Sequence, residues 1–365
     1  MTGVSGPRRS ILYEAGQEAV ALGHHWFGEE HVLLALLTTD LDNGSVRALA
    51  EAGLTHDSVA DALTTRIERL GPPTPKEYDG TLSAGSYHDV TGRAEGLALG
   101  TGAAKPEPPH CLAAVLWDGT GTVAALLADL GVSRVELLGT INDLGAAVSP
   151  AAPSNPLLPP AERQAIAREH AYIAEDDVLL ALLAGEPDDR AQRVLQAQGL
   201  NYHQAAERVR QDGERSTPPS RRSPGVTAAE PNAACRELVG RAEGLALTLG
   251  EGVPGSSDAL IAYLWRRRGD AVVALERLSV SAERVVADLT ATGVRIPNVP
   301  LPAPDRRPWG DRIFVPADRL HDVVDLFMER LQPGTFGVNT HEGQAWVIAH
   351  AGIDLQALVD EALSG

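Results

Sequence analysis

The octapeptide Gly92-Arg93-Ala94-Glu95-Gly96-Leu97-Ala98-Leu99 recurs letter for letter as Gly240-Arg241-Ala242-Glu243-Gly244-Leu245-Ala246-Leu247, an offset of 148 residues. A second, unrelated stretch repeats at nearly the same distance. Glu29-Glu30-His31-Val32-Leu33-Leu34-Ala35-Leu36-Leu37 returns as Glu175-Asp176-Asp177-Val178-Leu179-Leu180-Ala181-Leu182-Leu183, an offset of 146. Two segments with nearly one offset indicate a duplicated unit of about 147 residues.

Each unit is itself double. A glycine step into an apolar residue occurs at Ala52-Gly53-Leu54, Leu130-Gly131-Val132 and Gln198-Gly199-Leu200, and with serine at Leu278-Ser279-Val280. The chain therefore reads as four related segments of about 70–80 residues in two pairs. Within the first segment, Ile11, Leu12, Ala15, Ala19 and Leu22 follow the i, i+3/i+4 rule, and Gly23 stops that helix. Val32, Leu33, Leu36 and Leu37 predict a second helix. Val46, Leu49 and Ala50 predict a third, ended by Gly53. Val59, Leu63 and Ile67 predict a fourth, with Thr55 as its cap.

Proline marks the joints. Gly71 to Pro75 falls inside the first pair, Ser149 to Pro160 separates the pairs, Ser216 to Pro231 falls inside the second, and Pro297 to Pro308 closes it. The expected organisation is thus a first double domain at 1–148, a second at 155–295 and a different module at 309–365. In that last part Arg312–Pro316 reads as a strand and Ala317–Leu331 as a helix. Phe336–Asn339 and Ala345–Ala349 read as strands around a His341-Glu342-Gly343 turn, and Leu355–Leu363 as a helix. The fold class expected is mainly α: two tandem eight-helix double-repeat domains and a small β-α-β-β-α module.

Composition removes several functions. The 365 residues carry 49 acidic and 31 basic side chains, a net charge of −18, so an acidic surface is expected to repel nucleic acid and anionic membranes. Lys76 and Lys105 are the only lysines, and neither lies in Gly-Lys-Ser/Thr, so no P-loop ATPase is expected. Schiff-base chemistry would have the same two to choose from. Cys111 and Cys235 are too few for a disulfide framework or a multi-cysteine zinc module. No apolar run of ~18 residues and no leader pattern is read, which gives the expectation of a cytoplasmic protein without membrane contact.

Apparent chemical motifs dissolve under the repeat. His24, His25 and His31 lack the His-x3-His of a helical metal face and have no cysteine nearby, so helix-end and packing roles read better. Leu112 to Ala124 mimics a strand, Gly-x-Gly-x-x-Ala and a helix, but the repeat explains it as helix, loop, helix. Glu14/Glu18 and Asp40/Asp42 have no partner at a reaction-defining spacing, and His341-Glu342 lacks the second histidine of a zinc motif. Arg266-Arg267-Arg268 reads as a solvated basic face. No catalytic residue, metal or cofactor is expected. Aromatics are scarce, at 4%, yet Trp26, Trp117 and Trp265 each fall at or near the second helix of a segment. Core packing is one reading. An anchor surface for peptides, centred on Trp26-Phe27, is the other.

Segment one contains Ala21-Leu22-Gly23-His24-His25-Trp26-Phe27-Gly28-Glu29-Glu30-His31-Val32-Leu33-Leu34-Ala35-Leu36. This resembles the Leu-Gly-His-x-x-Ile-Gly-Thr-Glu-His-Ile-Leu-Leu-Gly-Leu signature of the Clp-N repeat, which forms the N-terminal domain of ClpC-type AAA+ unfoldases. Segment four fits through Gly255-Ser256-Ser257-Asp258-Ala259-Leu260, and segment three through His170, Ile173 and Asp176–Leu183. The resemblance implies a domain that receives substrates and adaptors, here without the ATPase modules. In ClpC-type proteins the signature glutamate helps bind phosphoarginine, and the same surface is the target of cyclic-peptide antibiotics. Glu30 stands at that position. Asp176 is its counterpart in segment three, whereas Pro109 and Ser257 replace it in segments two and four and lack a carboxylate.

Together these readings give an expected function. The chain is a non-enzymatic binding protein for peptides, protein substrates or cyclic-peptide natural products, acting as an adaptor or regulator of a Clp protease or as an antibiotic-sequestering decoy. The alternative is a natural-product biosynthetic enzyme built on the same scaffold. The ligand-binding residues expected are Glu30, Trp26, Phe27, Ser5 (near the start of the first helix) and Asp176. Partners expected are a peptide or cyclic-peptide ligand and a Clp ATPase or its protease substrates; the oligomeric state stays open.

Overall fold

The computed structural model describes residues 11–24, 26, 28–38, 44–70, 85–117, 119–141, 155–168, 170, 172–185, 189–215, 230–249, 252–266, 280–301, 313–316, 319–331, 336–341, 344–349 and 353–364. They fall into two units, one up to residue 304 and one from 305 onward.

The first unit is helical. Segment one folds as α1 (Ile11–Ala21), α2 (Glu29–Thr38), α3 (Gly44–Glu51) and α4 (His56–Leu70). Segment two gives α5 (Gly85–Gly100), α6 (Pro108–Val115), α7 (Thr122–Asp129) and α8 (Arg134–Thr140). Segment three gives α9 (Leu158–Ala167), α10 (Glu175–Leu183), α11 (Arg190–Ala197) and α12 (Tyr202–Arg215). Segment four contributes α13 (Ala233–Leu249), α14 (Ser256–Arg266) and α15 (Ala282–Ala291). Its expected Leu278-Ser279 step lies outside the described residues. Two residue pairs, β1 (Tyr172–Ile173) and β2 (Glu230–Pro231), form a short parallel ladder in the second half.

The glycine steps act as expected. Gly53, Gly131 and Gly199 have φ of 79°, 71° and 81°, a region closed to most side chains. Each lets the next N–H turn back onto the helix, as Leu54 N–H does to Leu49 O at 3.0 Å and Val132 N–H to Leu127 O at 2.8 Å. The proline-rich Ser149–Pro160 is not all linker, because α9 starts at Leu158 with Pro159 and Pro160 in its first turn. Proline fits there: the N–H it lacks would have no partner within the helix.

Each half buries its own core. In the first, Val32, Leu33, Leu36, Leu49, Leu63, Leu97, Leu112, Leu116 and Leu126 are sealed from solvent. In the second, Leu179, Leu180, Leu195, Leu238, Leu245, Leu260, Ile261 and Leu289 are. The two exceptions are reciprocal: Leu99 of α5 packs against the second core and Leu247 of α13 against the first.

That exchange happens because α5 and α13, the helices carrying the identical octapeptide, pack side by side and parallel. Gly92, Gly96 and Gly100 on α5 face Glu237, Arg241 and Thr248, while Gly240 and Gly244 on α13 face Asp89 and Arg93. A Cβ on Gly244 would stand 2.6 Å from Arg93 O and Leu97 N, so a methyl group would force the helices apart. Small residues every fourth position permit this approach. Charged side chains then flank it in pairs that obey the 148-residue offset. Arg93 Nε donates to Glu243 at 2.6 Å, and Arg241 donates to Glu95. Arg236 donates to Asp89 at 3.0 Å, and His88 Nδ1 meets Glu237 at 2.8 Å. The seam is a two-fold interface inside one chain.

The second unit is the expected β-α-β-β-α module. β3 (Ile313–Val315), β4 (Phe336–His341) and β5 (Gln344–Ala349) form an antiparallel sheet in the order β3-β5-β4, with α16 (Leu320–Arg330) and α17 (Leu355–Ser364). Val315, Val347, Ala349, Val323, Phe327, Leu355 and Val359 make its core.

Candidate functional site

The turn between α1 and α2 gathers four of the singled-out side chains. Gly23, at φ 69°, ends α1, and the chain then places His24 and Trp26 against the start of α2. The His24 ring stacks on Trp26 with centroids 4.5 Å apart and planes 7° from parallel. Trp26 Nε1–H donates to Glu30 Oε1 at 3.1 Å. Gly28 N–H donates to His31 Nδ1 at 3.0 Å, so the proton of the neutral His31 ring is on Nε2, which donates to His24 Nδ1 at 2.8 Å. Glu29, next to them, accepts from Val123 N–H at 2.9 Å and so caps the first turn of α7 in the neighbouring segment.

The cluster is buried. Glu30 is 2% exposed, Trp26 7% and His31 0%. Burial raises the Glu30 carboxyl above its usual range, against the lowering effect of its hydrogen bonds to backbone and Trp26. Burial also pushes His31 down to about 3, helped by repulsion from His24. The turn therefore gathers a buried carboxyl that accepts from the Trp26 indole N–H and an imidazole kept neutral. Ser5 and Phe27 lie outside the described residues. Asp176 is partly exposed at the start of α10, in the second half, and is not brought to Trp26.

Trp117 and Trp265 are core residues. Trp117 is 5% and Trp265 6% exposed; the first carries the Arg93 guanidinium 5.6 Å above its ring, and the second donates to Val299 O at 3.2 Å. The Leu112–Ala124 stretch is helix, loop and helix, as the repeat required, through α6 and α7. Arg267, Arg268, Asp40, Asp42 and Glu342 lie outside the described residues. Among the described residues no group of three or more His, Cys, Asp and Glu is placed to hold a metal ion. Burial pushes the Cys111 thiol up to about 12 and raises Cys235 as well. No helix is long and apolar enough to cross a membrane among the described residues.

Sequence reasoning missed a device present in all four segments. The third residue of each second helix bends its side chain back to a backbone N–H three residues earlier. His31 accepts from Gly28 at 3.0 Å and His110 from Glu107 at 3.0 Å. Asp177 accepts from Ala174 at 2.9 Å and Asp258 from Gly255 at 2.8 Å. This is the returning arm of a capping box. The signal was in the letters, since His31 and Asp177 are aligned in the repeat, but a histidine and an aspartate do not look alike until their shared role as acceptors is seen. In the second half the carboxylate does more: Asp177 also takes Arg168 Nη1 at 2.8 Å and lies 3.3 Å from His170 Nδ1.

The family model described as the Clp repeat (R) N-terminal domain matches residues 5–91, which spans segment one and the start of α5. No curated protein matches the chain.

Proposed function

We propose, from the match of residues 5–91 to the Clp repeat N-terminal domain, that the chain is a non-enzymatic binding protein that recognises peptides, protein substrates or cyclic-peptide natural products. The observation that supports this most is the placement of Trp26 and Glu30 together in the turn before α2, within the matched region. An apolar ligand docks on the turn and takes the Trp26 ring, 7% exposed at rest, as its anchor once the ring turns outward. A ligand carrying a guanidinium or other cation reaches Glu30 when the indole swings aside and gives up its hydrogen bond. The carboxylate is then exchanged from one donor to a stronger one, since charged hydrogen bonds exceed neutral ones. The same reading assigns ligand contact to Phe27 and Ser5, and to Asp176 as the counterpart of Glu30 in the second half.

Two roles share this chemistry: an adaptor or regulator hands its ligand to a Clp ATPase, and a decoy keeps it. Calorimetry on the full chain with a ClpC-targeting cyclic peptide and a phosphoarginine peptide tests the site. Trp26→Ala should weaken the cyclic peptide by about thirtyfold, the size of a hot-spot loss of ~2 kcal/mol. Glu30→Gln should weaken the phosphoarginine peptide alone. Affinities unchanged by both substitutions would remove the site. Co-purification with a Clp ATPase then separates adaptor from decoy.

A further inference from the structure

The α5–α13 seam joins two surfaces of the same sequence, so each half carries everything needed to pair with a copy of itself. We infer that this seam is a second interaction surface whose partner is another copy of this chain: two molecules exchange halves and form a dimer with two seams in place of one. The contacts are those of an isologous dimer, in which residue i meets j and j meets i. Arg93 meets Glu243 while Arg241 meets Glu95, and Asp89 meets Arg236 while His88 meets Glu237. Gly92 and Gly96 receive the backbone at Glu237 and Arg241, and Gly240 and Gly244 receive the backbone at Asp89 and Arg93. Each half has its own core, so opening the seam exposes the seam faces and the patch of each core that Leu99 or Leu247 covers, and leaves the rest of each core packed within its own half. The exchanged dimer repeats every contact of the closed monomer. What favours the closed form is the effective concentration that one continuous chain gives its own two halves.

Removing that advantage tests the inference on full-length chains. One variant carries Arg93→Glu with Arg241→Glu, which makes both faces of its seam acidic; the other carries Glu95→Arg with Glu243→Arg, which makes both basic. Neither can close on itself without like charges meeting, but each face complements the other chain. The expected result by light scattering is one-chain mass for each alone and two-chain mass for the 1:1 mixture, the dimer weakening as salt rises. A mixture that keeps one-chain mass while both variants retain their helical circular dichroism overturns the inference. If either double variant loses its helix signal, the single changes Arg241→Glu and Glu95→Arg are mixed instead and read in the same way. Combining those two in one chain should recover the melting temperature that each lowers. Recovery in one chain with no dimer in the mixture would show a seam that closes only internally, and would equally overturn the inference.

Discussion

Arg93 Nε lies 2.6 Å from Glu243, and the same carboxylate accepts Asn155 Nδ2 at 2.8 Å through its other oxygen. Glu243 is thus a junction of α13, α5 and the entry to the second half. Its counterpart Glu95 receives Arg241 but is more open to solvent. Pairs buried to this degree add little net stability, since desolvation offsets the attraction, but removing one partner strands the other. They also set register, because a slip of either helix would break every pair together.

The asymmetry between the two carboxylates is measurable. Glu243→Ala should cost about 3 kcal/mol, the order seen when a buried pair loses one member. Glu95→Ala should cost less, because water can reach what it leaves behind. Urea unfolding of the two variants compares them directly, and equal costs would deny the junction role.

Glycines in the seam and outside it should respond oppositely to the same substitution. Gly244→Ala places a methyl 2.6 Å from two backbone atoms of α5 and should destabilise the chain. Gly139, inside α8 with nothing within 4 Å of a built Cβ, should gain about 0.4–1 kcal/mol on becoming alanine, because the unfolded chain loses freedom. Thermal melts of both variants test this; a neutral Gly244→Ala would mean that the helices have room to spare.

Glu30 gives a stability that depends on pH in a stated direction. Its folded pKa is raised by burial, so the folded form holds its proton more tightly than the unfolded chain does. Its contribution is present at low pH and is lost as pH rises through the folded pKa. Glu30→Gln keeps an acceptor for Trp26 Nε1–H and removes the charge. Its melting temperature should match the wild type in acid and exceed it at neutral pH. A constant difference across pH would locate the effect in packing instead.

Much of this architecture was readable before any coordinates. Glycine steps at 53, 131 and 199 and the i, i+3/i+4 apolar rows located helices because both signals are local: one residue forces a left-handed turn, and one face is apolar. The alternation around Val347 placed the small sheet for the same reason. The seam was not readable as an interface. Gly92, Gly96 and Gly240, Gly244 stood in the repeated octapeptide and were evidence of duplication. That the copies touch is a long-range fact that no window of sequence contains. Trp26 and Glu30 were visible as residue types, but their burial depends on the turn of Gly23 and on His24 lying over the indole. A carboxylate at a helix start looks exposed until its neighbours are in place.

The repeated cap predicts which half fails first in acid. In the first half the acceptors are His31 and His110, and a ring nitrogen that takes a proton can no longer accept the N–H of Gly28 or Glu107. Burial lowers both residues, His31 to about 3. A histidine whose folded pKa is depressed contributes stability that is whole above its unfolded value, about 6.5, and is lost as pH falls toward the folded one. Asp177 and Asp258 hold the same places in the second half, where the returning acceptor is a side-chain oxygen and not an imidazole nitrogen. Between about pH 6 and 4 the histidine caps of α2 and α6 should therefore weaken, against the gain that a protonated Glu30 brings to α2, while α10 and α14 have no histidine cap to lose. Hydrogen exchange followed by mass spectrometry, corrected for the intrinsic pH dependence, should show α2 and α6 losing protection in that window ahead of α10 and α14. His110→Asn retains a neutral acceptor for Glu107 N–H and cannot titrate, so it should flatten the loss at α6. Simultaneous opening of all four helices, or a variant as acid-sensitive as the wild type, would show that the caps do not set the order.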